Sequence, residues 1–124
     1  MNMEFLSEEK RKKLIEFVKF CKKELNLKSV PKIQVQNGKK NIKTTANYDY
    51  NKEEKIIKVN AKNRAIVDVM RSIAHELVHH KQWEDGRLKV KPPDIGGVIE
   101  DEANAVAGVL IKKYSKIDNT IYDE

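Results

Sequence analysis

His75, Glu76 and His79 stand in the run Arg71-Ser72-Ile73-Ala74-His75-Glu76-Leu77-Val78-His79-His80, and their types and spacing are those of a metal site. On a helix, residues four apart share a face one turn from each other, so the imidazoles of His75 and His79 can reach one zinc ion. Glu76 lies about 100° further round the axis. From there it can reach a water on the metal without binding the metal itself. The competing reading is a helix whose polar face carries two solvated histidines. Against it, His75, His79 and His80 are the only histidines in the sequence, and a later stretch offers a carboxylate.

A catalytic zinc takes three protein ligands and keeps a fourth position for water. With no histidine outside this stretch, the third ligand is a carboxylate unless Cys21 or His80 serves. His80 points about 100° away from His79 and reads as an exposed or outer-lying histidine. Asp85 falls where some zinc proteases carry a third ligand, beyond a glycine that makes a sharp turn. Here that glycine's place is held by Gln82, which makes the turn difficult. The other candidate is Glu100, in Glu100-Asp101-Glu102-Ala103-Asn104. At about 100° per residue, Glu100 shares its arc with Ala107 and Ile111, while Asp101 and Glu102 point toward the charged side. A carboxylate on an apolar face is costly unless it is paired or bound to metal, and no lysine or arginine of the same helix occupies that arc.

The elements that must carry these residues follow from local pattern. Ser7-Glu8-Glu9 opens a first helix, serine capping free amides and the glutamates suiting the dipole. Leu14, Val18, Cys21 and Leu25 form its apolar stripe, with Ile15 and Phe17 alongside, and Asn26 stops it. After Pro31, Lys32 to Gln36 alternates like a strand, and Asn37-Gly38 signals a turn. A second extended run covers about 42–50 and a third ends near Asn60, so a hairpin precedes the motif helix. That helix runs from after Asn63 to about Glu84, with Gly86 as its stop. Its stripe of Ile66, Met70, Ile73 and Leu77 places His75 and His79 roughly on the opposite side. Residues 88–97 read as a loop broken by Pro92-Pro93 and Gly96-Gly97. A last helix follows from about Val98 to Tyr114. The polar tail, 115–124, is expected to fray.

At 124 residues the chain is expected to be a single domain. Its 40% hydrophobic and 35% charged residues suit a globular protein with a heavily charged surface. No apolar run is long enough for a transmembrane helix and Met1 to Lys13 lacks a signal segment, so no membrane partner and a cytoplasmic location are expected. Cys21 cannot form an internal disulfide and reads as a small core residue. The net charge of +6 raises the question of nucleic acid, which the pattern does not favour. The excess is mostly lysine, spread along the chain and interleaved with glutamate, and no aromatic platform accompanies it.

The pairing of His75-Glu76-x-x-His79 with Glu100-x-x-Ala103-Asn104 resembles the gluzincins, thermolysin-like zinc metallopeptidases whose histidine motif is followed by a Glu-x-x-x-Asp pattern on a later helix. It is most similar to the small ImmA/IrrE-like metallopeptidases of mobile elements and bacterial stress responses. Those carry Glu-x-x-Ala-Asn followed by an alanine-rich helix, as Ala105-Val106-Ala107 is here. The likeness spans residues 42–114. It departs at the residue after Val78-His79 and at Ala107-Gly108-Val109-Leu110, which do not reproduce the longer motif ending in Met-Pro, and at Asn104, where thermolysin-like members carry aspartate.

The resemblance implies a minimal zincin-like α+β domain. A small three-stranded sheet would join an N-terminal helix within 1–30, an active-site helix and a C-terminal helix bearing the glutamate, with residues 42–114 as catalytic core. It implies one zinc held by His75, His79 and Glu100, with Glu76 as general base in the hydrolysis of a protein or peptide substrate. Asn104 would accept a hydrogen bond from the second nitrogen of a ligand histidine. A substrate peptide would add along Thr44, Thr45, Ala46, Asn47 and Tyr48, the first strand of the hairpin. His80, Tyr114 and Tyr122 are the candidates for stabilising the oxyanion. Two alternatives stand beside this reading: a DNA-associated protease of SprT-like type, which would need a third histidine, and a zinc protein without catalysis.

Overall fold

The first helix begins where the cap expected from the sequence stands. The Lys10 amide donates to Ser7 Oγ at 3.2 Å, and α1 runs Glu8–Leu25. Leu14, Phe17, Val18 and Cys21 face the core, while Ile15 remains partly exposed at 38%. Asn26 closes the helix in the left-handed conformation, φ 53° and ψ 47°, and turns the chain so that Leu27 is buried. The computed structural model describes residues 6–38, 46–49, 53–88 and 97–122.

Three strands follow: β1 Lys32–Gln36, β2 Ala46–Asp49 and β3 Ile56–Asn60. Their order is β1-β3-β2. The hairpin expected before the motif helix is present as the antiparallel pair β2–β3, with Ala46 opposite Val59 and Tyr48 opposite Ile57. The first strand does not turn back onto β2 after Asn37-Gly38. It runs parallel to β3 instead, Ile33 opposite Ile57 and Val35 opposite Val59. These four residues are buried and form one apolar face under the helices. Asn60 ties the two strand ends together, its Oδ1 accepting from the amides of Gly38 at 2.9 Å and Lys62 at 3.2 Å.

The motif helix α2 spans Ile66–Glu84. Its N-cap, Ala65, has no side chain to offer. Arg64 braces this end instead, donating to Asn60 O at 2.7 Å and to Ser72 Oγ at 2.7 Å. The last helix, α3, spans Gly97–Ser115 and buries Ala103, Ala107, Leu110, Ile111 and Tyr114. Tyr114 packs edge-on against Phe17 of α1 at 5.1 Å between ring centres. α2 lies at the centre, packed against α1, α3, β2 and β3. The architecture is α+β: three helices and a small three-stranded mixed sheet. No helix among the described residues is long and apolar enough to cross a membrane.

The tail departs from expectation. Rather than fraying from Ser115, the chain turns at 116–118 and forms a short 3-10 helix, Asn119–Tyr122. Ile121 is fully buried, and Lys13 Nζ donates to Thr120 O at 3.3 Å. A single apolar anchor, Ile121, is enough to return a polar segment to the core, and composition alone hides it.

Candidate metal centre

The four-residue spacing on α2 brings His75 Nε2 and His79 Nε2 to 3.2 Å, with the rings nearly perpendicular. Glu100, in the first turn of α3, meets them from across the helix–helix contact. Its Oε1 lies 2.5 Å from His75 Nε2 and 3.3 Å from His79 Nε2. Among the described residues, His75, His79 and Glu100 are the group whose ligand atoms converge closely enough for one metal ion. Zinc bonds of about 2.0–2.1 Å in tetrahedral geometry separate the donors by about 3.3 Å. Two of the three edges already have that length, 3.2 and 3.3 Å. The third is closed to 2.5 Å as a direct His75–Glu100 contact. Opening it is a movement of the partly exposed Glu100 side chain.

The protonation pattern suits ligation. His79 Nδ1 is 2.7 Å from Gln82 Oε1. An amide oxygen only accepts, so Nδ1 carries the proton and Nε2 is the lone-pair nitrogen that faces His75 and Glu100. Burial lowers the pKa of His75, and the neighbouring His79 lowers it further against the opposing pull of Glu100 and Asn104. The downward shift favours the neutral ring, the form a metal needs. Electron-rich atoms this close repel one another unless a proton or a cation sits among them, and two imidazole nitrogens with one carboxylate oxygen are a donor set that suits zinc.

Glu76 is buried, 6% exposed, and its Oε2 has no hydrogen-bond partner. Burial pushes its pKa up to about 8, and the Glu100 carboxylate adds to the rise. A buried carboxyl oxygen without a partner costs free energy, and burial favours the protonated form of Glu76 in the metal-free chain, whereas a cation held by the neighbouring ligand atoms would favour the ionised carboxylate that a base needs.

Asn104 is exposed, and its side chain acts on His75, favouring the charged ring. Gln82, not foreseen as a site residue, is the hydrogen-bond partner of His79 Nδ1. Glu102, sent to the charged side by the helical projection, has partners on α2 and just after it. It accepts from Gln82 Nε2 at 3.0 Å and pairs with Arg87 at 2.6 Å. The signal for Gln82 was its position three residues after His79, one helical turn along the same face.

His80 is neither exposed nor beside the ligands. It is 1% exposed and lies on the other side of α2, with Tyr48 Oη 2.6 Å from Nδ1. Ser29 O is 3.1 Å and Glu84 Oε2 3.3 Å from Nε2. Amphipathic reasoning assumes one face in water, and α2 is covered on both. Tyr114 belongs to the aromatic cluster with Phe17 and Phe20. It stands fourteen residues, about 21 Å of helix, from Glu100. Tyr122 is largely exposed at the far end of the chain. Asp85 caps α2 and pairs with Lys81 at 3.3 Å. Cys21 is a core residue of α1 whose thiol pKa burial pushes up. Neither belongs to the converging group. Ala46, Asn47 and Tyr48 lie on β2, an outer strand of the order, while Thr44 and Thr45 fall outside the described residues.

Compared with protein-family models, with curated proteins and with solved structures, the chain gives no match.

Proposed function

We propose that this chain is a zinc-dependent metallopeptidase of minimal gluzincin type, resembling the small ImmA/IrrE-like enzymes, that hydrolyses peptide bonds in a protein substrate. One observation carries the reading: His75, His79 and Glu100 converge from two helices beside Glu76, a buried carboxyl group with an unpartnered oxygen. His75 and His79 would hold the ion through Nε2, and Glu100 through Oε1. A bound zinc supplies Lewis acidity, polarising a substrate carbonyl and easing the deprotonation of water. Glu76 accepts the proton of the attacking water at Oε2 and passes it to the leaving amine. Asn104 and Gln82 orient the two imidazoles. By the same resemblance, the substrate backbone would lie along residues 44–48.

The test is zinc analysis of the purified chain together with cleavage of a proteome-derived peptide library. Wild type should carry one zinc and cut, while Glu76→Gln should keep the zinc and not cut. Equal cleavage by the two proteins would remove Glu76 from the mechanism. Zinc bound without any cleavage by the wild type would leave the non-catalytic zinc protein.

A further inference from the structure

Gln82 is not in the ligand set, yet it is fully buried and both polar atoms of its side chain are engaged. Its Oε1 lies 2.7 Å from His79 Nδ1. Its Nε2 donates to Ile99 O and to Glu102 Oε1, each at 3.0 Å. A carbonyl and a carboxylate only accept, so the amide cannot be turned over: its nitrogen must face α3 and its oxygen must face His79. Arg87 Nη1 donates to Glu102 Oε1 at 2.6 Å and holds that acceptor from the segment after α2. The chain Arg87–Glu102–Gln82–His79 thus runs from a half-exposed ion pair to the buried imidazole.

We infer that Gln82 is a positioning residue that locks His79 in the Nδ1–H tautomer and aims its Nε2 lone pair at the metal position, with Glu102 and Arg87 holding the Gln82 amide in that orientation. The inference rests on the reading of His79 as a ligand. Which nitrogen of a histidine carries the proton is set by the bond the other makes, and loss of such an outer partner costs roughly 10–100-fold in metal affinity. His80 provides an internal reference. Its Nε2 faces Ser29 O and Glu84 Oε2, both acceptors, so it is held in the opposite, Nε2–H, tautomer.

Nitrogen-15 NMR of the histidine-labelled, metal-stripped full chain reads the tautomers directly, and zinc titration of the same samples reads the consequence. Wild type should show His79 as Nδ1–H and His80 as Nε2–H. In Gln82→Met, His79 should lose the Nδ1–H pattern while His80 keeps its own, and zinc affinity should fall roughly 10–100-fold. Should Gln82→Met fail to fold, Glu102→Ala decides. That side chain is 34% exposed, and its loss frees the amide to turn, so an Nε2–H population of His79 should appear with a smaller loss of zinc affinity. An Nε2–H His79 in wild type, or a wild-type tautomer pattern in both variants, overturns the inference. The stated tautomers in a wild type that binds no zinc would uphold the positioning by Gln82 and remove the metal reading.

Discussion

His79 and His80 are adjacent in the chain and almost equally buried, 5% and 1% exposed, but their surroundings differ in kind. Each nitrogen of His80 meets a complementary group, Tyr48 Oη at Nδ1 and two acceptors at Nε2. His79 has such a partner only at Nδ1, and its Nε2 faces another imidazole nitrogen and a carboxylate oxygen. A histidine satisfied at both nitrogens holds a fold together. One whose lone pair converges with other lone pairs needs a proton or a cation among them. Burial does not distinguish the two, and the partner set does.

The largest effect that would sharpen this contrast lies at Glu100. Glu100→Ala removes the one carboxylate of the converging group, so zinc affinity should fall by more than the roughly 100-fold that an outer partner can cost, with Asp101→Ala as an unaffected control. Calorimetric titration of the two variants checks it. On the other side of α2, His80→Ala should leave zinc stoichiometry at the wild-type value. It should lower unfolding stability by about 2–4 kcal/mol, since it removes buried hydrogen bonds and opens a cavity. Lost zinc binding in that variant, at temperatures where it remains folded, would break the division between the two histidines.

A smaller effect is expected from pH. The Glu76 pKa in the folded metal-free chain is raised from 4.5 to about 8, so the folded state holds its proton more tightly than the unfolded chain does. Its stabilising contribution is fully present below pH 4.5 and is lost as pH rises through about 8. Metal-stripped wild type should therefore lose stability across that window relative to Glu76→Gln. Denaturant melts of the two proteins at several pH values measure this, and parallel curves would show that Glu76 is not held protonated. The smallest effect belongs to Tyr48→Phe, which removes only the hydroxyl bound to His80 Nδ1. It should cost roughly 1–2 kcal/mol and leave zinc binding unchanged, which a thermal melt with and without zinc would register.

How much of this could be read in the sequence depended on how local the determinants were. Ser7 and Asn26 mark the ends of α1 by their own side chain and backbone preferences, and both stand where the helix starts and stops. The spacing of His75 and His79, and the place of Glu100 on the apolar arc of α3, are properties of single helices. The structure brings the three together. Determinants that join distant segments stayed hidden. The parallel pairing of β1 with β3 depends on residues more than twenty positions apart. Ile121 looks like part of a polar tail until it meets the core. His80 read as an exposed or outer-lying histidine from its angle to His79, and it is buried because Ser29, Tyr48 and Glu84 close over it. Gln82 was weighed only as the residue that spoils a glycine turn, whereas in the fold it holds His79. Glu102 was placed on the charged side of α3, and there Arg87 and Gln82 reach it from outside that helix, pairings that the helical projection does not show.

The central claim is that α2 and α3 together form one metal site through His75, His79 and Glu100. Its most direct test is calorimetric titration of zinc into metal-stripped wild type, His79→Ala and His80→Ala under identical conditions. One site per chain in wild type and in His80→Ala, with none in His79→Ala, is the expected result. No binding by wild type, or equal binding by wild type and His79→Ala, would contradict it.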